Sequence, residues 1–198
     1  MKRHFTISDV EDRWNKLTGA DEAETKHRVR LLREAGVLPT RRTHATDGSI
    51  ARFIVGMLAG ETHADAPRAT IRVLDASCVK ADEPGHLMGC FGSKSFREDL
   101  TTFIFYARRD GPWLMTDMSV CANPPEATVF VWRDGYAPSH FTYSAMEETG
   151  APPRVGVFPV KTARTLDGQV IHGLAALASD LISDLPPDLR RILRSMKE

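Results

Sequence analysis

The chain has 198 residues, 42% hydrophobic and 26% charged, with Lys+Arg and Asp+Glu equal at 26 each. That is the composition of a globular protein with room for one larger domain or a small one beside a medium one, and it excludes a polycation. Three cysteines, Cys78, Cys90 and Cys121, form neither a disulfide framework nor a zinc pattern, so a reducing cytoplasm is the expected setting.

Charge is unevenly spread. Residues 1–60 hold 11 Lys/Arg against 8 Asp/Glu, residues 61–166 hold 11 against 13, and residues 167–198 hold 4 against 5. A mildly positive head on a slightly acidic body suits a nucleic-acid reader that carries a partner or ligand domain. No apolar run approaches the roughly 18 to 20 residues of a membrane span, so no membrane is expected.

In chain order, Ser8 followed by Glu11 reads as a capping box. Val10, Trp14 and Leu17 then share one face, which predicts a helix over 9–17 that Thr18-Gly19 ends. Asp21 with Glu24 starts a second helix, running to Ala35 with Gly36 as its left-handed end. On that helix Val29, Leu32 and Ala35 form the apolar arc, while Lys26, Arg30 and Arg33 share the opposite arc. Arg28 falls inside the apolar arc, and its stem is expected to pack while its head reaches solvent.

After Pro39 a basic loop, Thr40 to His44, leads to Thr46 as an N-cap. Ile50, Phe53, Ile54, Met57 and Leu58 give a third amphipathic stripe ending at Gly60. A hinge is expected at 60–68. Beyond it, Ala69–Leu74, Thr102–Ala107, Trp113–Val120, Ala127–Arg133, Phe141–Ser144 and Val155–Val160 read as strands of a mostly antiparallel sheet. Arg109–Pro112 and Asp134-Gly135 read as hairpin turns, and residues 77–100 read as irregular. Thr165 caps a helix whose Val170, Leu174, Leu177 and Leu181 recur at near-heptad spacing. A short helix with Leu189, Ile192, Leu193 and Met196 on one side closes the chain.

The expected class is therefore α+β: a small N-terminal helix-turn-helix domain at 1–62, then a mostly antiparallel sheet domain with C-terminal helices at 69–198. DNA affinity comes largely from Lys/Arg at phosphates, and sequence is read by a helix in the major groove. The DNA-binding candidates are Thr25, Lys26, His27, Arg30 and Arg33 on the second helix, with Arg41 and Arg42 in the loop. A solvated helix face is the plainer reading of the same charges.

Phe5–Val10, Leu17–Gly19 and Arg33–Arg42 together resemble the opening of MerR-type winged helix-turn-helix regulators. The resemblance covers residues 4–50 and implies a DNA-binding domain with a basic wing, of phage or mobile-element character. No long coiled-coil helix follows.

Other chemistry is weaker. The seven His are scattered, with no metal-ligand spacing. Gly85 to Lys94 is Gly-rich but lacks the phosphate-loop order. Cys90 near His86 is a lone thiol, and no Ser sits in a Gly-x-Ser-x-Gly elbow. The expectation is a non-enzymatic transcriptional regulator without cofactor or metal, binding double-stranded DNA as a homodimer; the Leu166–Ile182 stripe reads either as the dimer seam or as the cover of one sheet face. The alternative is a phage or mobile-element accessory factor that binds a protein partner without DNA.

Overall fold

The computed structural model describes residues 5–82, 91–92, 95–110, 117–131, 139–145, 163–167, 170–171 and 173–175. The chain is α+β, with its helices leading into a five-stranded antiparallel sheet.

Helix α1 spans Ile7–Thr18 and α2 spans Glu22–Glu34. The box that starts α1 is Thr6 with Asp9, two residues earlier than the Ser8–Glu11 pair. The Asp9 carboxylate accepts from the Thr6 amide and hydroxyl, both at 2.8 Å. Glu11 is free of capping duty and buried instead. Gly19 closes α1 at φ 68°, and the Asp21 side chain accepts from the Glu24 amide at 2.9 Å to open α2. Past α2, Gly36 sits at φ 73°. There the Val37 amide returns to the Leu32 carbonyl and the Gly36 amide to that of Arg33, both at 2.9 Å. This pair of bonds is a Schellman stop, which only a left-handed residue allows without strain.

Helix α3 spans Asp47–Leu58, capped by Thr46 as the sequence predicts. The Ala45 amide bonds the Phe5 carbonyl at 2.9 Å, and Thr6 bridges His44. The loop after α2 is thereby stitched to the entry of α1.

The segment Ala69–Leu74, expected as a strand, is the body of helix α4, Ala66–Leu74. Thr102–Ala107 likewise lies within helix α5, Phe96–Asp110. Burial explains both. Ala69, Thr70, Val73 and Leu74 are inside while Arg68, Ile71 and Arg72 are exposed; on α5 the inside set is Phe96, Leu100, Phe103, Ile104 and Ala107. These are helical periods, not alternations. Since α5 runs to Asp110, no strand precedes Arg109–Pro112 to make it a hairpin.

Strand β1, Ser77–Asp82, occupies part of the stretch expected to be irregular. It is followed by β2 Asp117–Ala122, β3 Pro125–Val131, β4 Ser139–Ser144 and β5 Ala163–Asp167. The spatial order is β1-β4-β3-β2-β5, every pairing antiparallel. Asn123 and Pro124 make the turn between β2 and β3. Thr165 lies within β5 and caps no helix; residues 170, 171 and 173–175 are helical. The readings at Val155–Val160, Asp134-Gly135, Leu177, Leu181 and the closing helix lie outside the described residues.

Helices cover one sheet face: α4 packs on β2 and β3, and α3 on α5. Phe96 of α5 meets Tyr143 of β4 with ring centroids 4.9 Å apart, and Phe91 stacks on Phe103 at 4.0 Å. Trp14 of α1 meets Phe53 of α3 edge-on at 5.7 Å. A single buried apolar cluster runs from Phe5 to Ala175, so the described residues on either side of the hinge expected at 60–68 share one core. Phe130 is 44% exposed and stacked on His140 at 4.5 Å.

Candidate nucleic-acid interface

Helices α1 and α2 are joined by Gly19, Ala20 and Asp21 alone, and α2 packs its Val29 and Leu32 inward. What α2 shows to solvent decides what it can touch. Lys26, His27 and Arg30 are exposed, and so are Arg41 and Arg42 in the following loop.

Two of the sequence-predicted contacts point the other way. Thr25 is buried, its hydroxyl donating to the Asn15 side-chain carbonyl of α1 at 2.7 Å. That bond fixes the angle between the two helices and removes Thr25 from any outer surface. Arg33 pairs with the buried Glu11 of α1. A carboxylate in the core needs such a partner, so Arg33 is held by α1 and not presented to a phosphate.

Arg28 also departs from expectation. Its head does not reach solvent: Nε donates to the Gly56 carbonyl at 2.7 Å, and Nη2 donates to the carbonyls of Ala59 and, at 3.3 Å, Gly60. Gly56 contributes an orphan acceptor of the last turn of α3 and Ala59 and Gly60 follow its end, where the helix dipole also favours a cation. Burial, then the nearby Arg164 charge, lowers the Arg28 pKa from 12.5 to about 10. Arg28 therefore stays charged at neutral pH and acts as a clamp between α2 and α3.

The exposed cations have acidic neighbours. Lys26 Nζ lies 2.5 Å from Glu22 and Arg30 Nε lies 3.7 Å from Glu34, both one helical turn away. Exposed pairs of this kind are worth only a few tenths of a kcal/mol, so an incoming phosphate can displace them. Arg30 also lies 3.2 Å from His27 Nδ1, and the His27 ring meets His63 edge-on at 5.1 Å. Arg41 Nε donates to the Ser8 hydroxyl at 3.3 Å, which lays the loop against the first turn of α1. Arg42 forms no ion pair among the described residues.

Lys26 and Arg30 were legible as an outer arc because helical geometry fixes it, whereas Arg33, read on the same arc, is drawn to Glu11. His63 carries no spacing signal and is brought to this surface by folding, and the spacing at Ser8 pointed to a cap and not to the Arg41 contact it makes. Among the described residues no group of three or more His, Cys, Asp or Glu could hold a metal ion, and no helix is long and apolar enough to cross a membrane. No protein-family model, curated protein or solved structure matches the chain.

Proposed function

We propose that the protein is a double-stranded-DNA-binding regulator whose contact surface is the outer arc of α2 together with the 40–44 loop. The supporting observation is the division of labour among its arginines. Arg28 and Arg33 are consumed by the fold, while Lys26, His27, Arg30, Arg41 and Arg42 stay exposed on two consecutive segments. Cations with only weak exposed partners can exchange them for phosphates, and condensed counterions are then released. Binding two half-sites as a homodimer belongs to this proposal, since paired readers gain affinity and specificity.

The test is fluorescence anisotropy of duplex DNA against salt concentration, after selection of a site from random duplexes. Arg30→Ala with Arg41→Ala should weaken binding and flatten the salt slope by about one unit per lost phosphate contact. The double variant should melt like the parent, because both side chains are exposed. Unchanged affinity and slope would remove this surface, and no binding by the parent chain would favour a protein partner. Sedimentation with and without the duplex reads the dimer.

A further inference from the structure

A cleft of about 320 Å³ opens between α4 and the β2–β3 turn, lined by none of the residues proposed to contact DNA. Its size is that of a small-molecule site. Arg68 and Arg72, one turn apart on α4, line it together with Ala122 at the end of β2 and Asn123 of the turn. Gly60 is also in the lining and holds φ 86°, where an added Cβ would come within 2.8 Å of the Ala66 backbone.

The decisive feature is what the two guanidiniums leave undone. Glu61 and Asp65 line the same cleft, yet neither Arg68 nor Arg72 forms an ion pair with a described residue. Asp65 is already engaged, accepting from the Thr62 hydroxyl at 2.7 Å. Two guanidiniums at i, i+4 keep their forked N–H groups available, the donor pattern that suits carboxylate and phosphate oxygens. The carboxamide of Asn123 adds a neutral donor and acceptor.

We infer that this cleft binds a small oxyanion-bearing molecule, with Arg68 and Arg72 holding the oxyanion. The two acidic residues make the lining neutral overall, which disfavours a polyanion such as a DNA backbone. They favour instead a ligand carrying hydroxyl or amine donors beside its phosphate or carboxylate. Such a ligand would be an effector held by residues other than those proposed to contact DNA.

The test uses the full chain in chloride buffer at constant ionic strength. Inorganic phosphate and succinate are titrated separately while the Arg Nε–H and Asn123 side-chain signals are followed by NMR. A saturable shift with either probe is expected, and the tighter one identifies the oxyanion as phosphate or carboxylate. Arg68→Gln and Arg72→Gln should each raise the dissociation constant about tenfold with an unchanged melting temperature in chloride. No saturable shift with either probe would overturn the inference, as would full binding by the double variant. So would variants that lose duplex DNA affinity while keeping small-anion binding, since the arginines would then belong to the DNA surface. The small-anion titrations contain no DNA, so their outcome does not depend on the proposed DNA binding.

Discussion

The Tyr143 hydroxyl donates to Asp99 Oδ2 at 2.8 Å, and the Gly92 amide donates to the same oxygen at the same distance. Both side chains are buried. Burial first, then the Asp99 charge, raises the Tyr143 pKa far above its ordinary 10.0. The folded chain therefore keeps a proton that the unfolded chain releases in alkali. That contribution is whole below pH 10 and is lost as pH rises further. Tyr143→Phe should cost about 1–3 kcal/mol at neutral pH, because a buried carboxylate loses a donor. It should also flatten the alkaline loss of stability, read by urea melts at neutral and strongly alkaline pH. Arg28, whose pKa is lowered, contributes with the opposite sign in the same range, so the difference between the two chains isolates Tyr143. The partners of these interior groups were not legible in the sequence. Asp99 lies 44 residues from Tyr143, Glu11 lies 22 from Arg33, and Arg28 lies 28 from Gly56. No local spacing joins them.

Helix ends were the legible elements, because a cap is a local event. Gly19, Asp21, Gly36 and Thr46 each do what their side chain, or lack of one, dictates. Helices α4 and α5 were hidden by short windows rich in β-branched and aromatic residues. Over Thr102–Ala107 alone a strand reads as well as a helix; only the longer set from Phe96 to Ala107 exposes the period. Packing between elements gives a paired prediction at two glycines of α3. A Cβ at Gly56 would lie 2.6 Å from Leu32 Cδ1 of α2, whereas at Gly48 the nearest atom is 3.9 Å away. Gly56→Ala should destabilise by about 1–2 kcal/mol, since overpacking a buried Leu outweighs the helix propensity gained. Gly48→Ala should stabilise by up to about 1 kcal/mol. Thermal melts of the two variants should move in opposite directions.

The α+β class was legible at the scale of the whole molecule, but the division of its core was not. Val29, Leu32, Ile50 and Phe53 belong to the same buried cluster as Phe103, Val129 and Leu174. An added Cβ at Gly173 would meet Leu17 of α1 at 2.6 Å, so the late helical residues press directly on the first helix. A fragment of residues 1–62 is therefore expected to lack a cooperative melt by circular dichroism, being small and stripped of the α5 side of its core. Leu174 is fully buried, which removes it from a free dimer seam. Leu174→Glu should unfold the chain rather than release a folded monomer, because an unpaired carboxylate in the core is severely costly. Sedimentation together with near-ultraviolet dichroism distinguishes the two outcomes.

The strand order also dictates a history for each newly made chain. The neighbours β2, β3 and β4 are consecutive and can zip together from local contacts. By contrast, β1 must wait for β4, and β2 stays an open border until β5 arrives from much later in the sequence. Long-range pairings of this kind are the slow ones, and an unfilled strand border is a template for a neighbouring chain. Until Ala163–Asp167 has emerged from the ribosome, the N–H and C=O groups along one side of Asp117–Ala122 stand open. The interval between the synthesis of β2 and of β5 is thus the window in which this protein is most exposed to misassembly with its own copies on the same polysome.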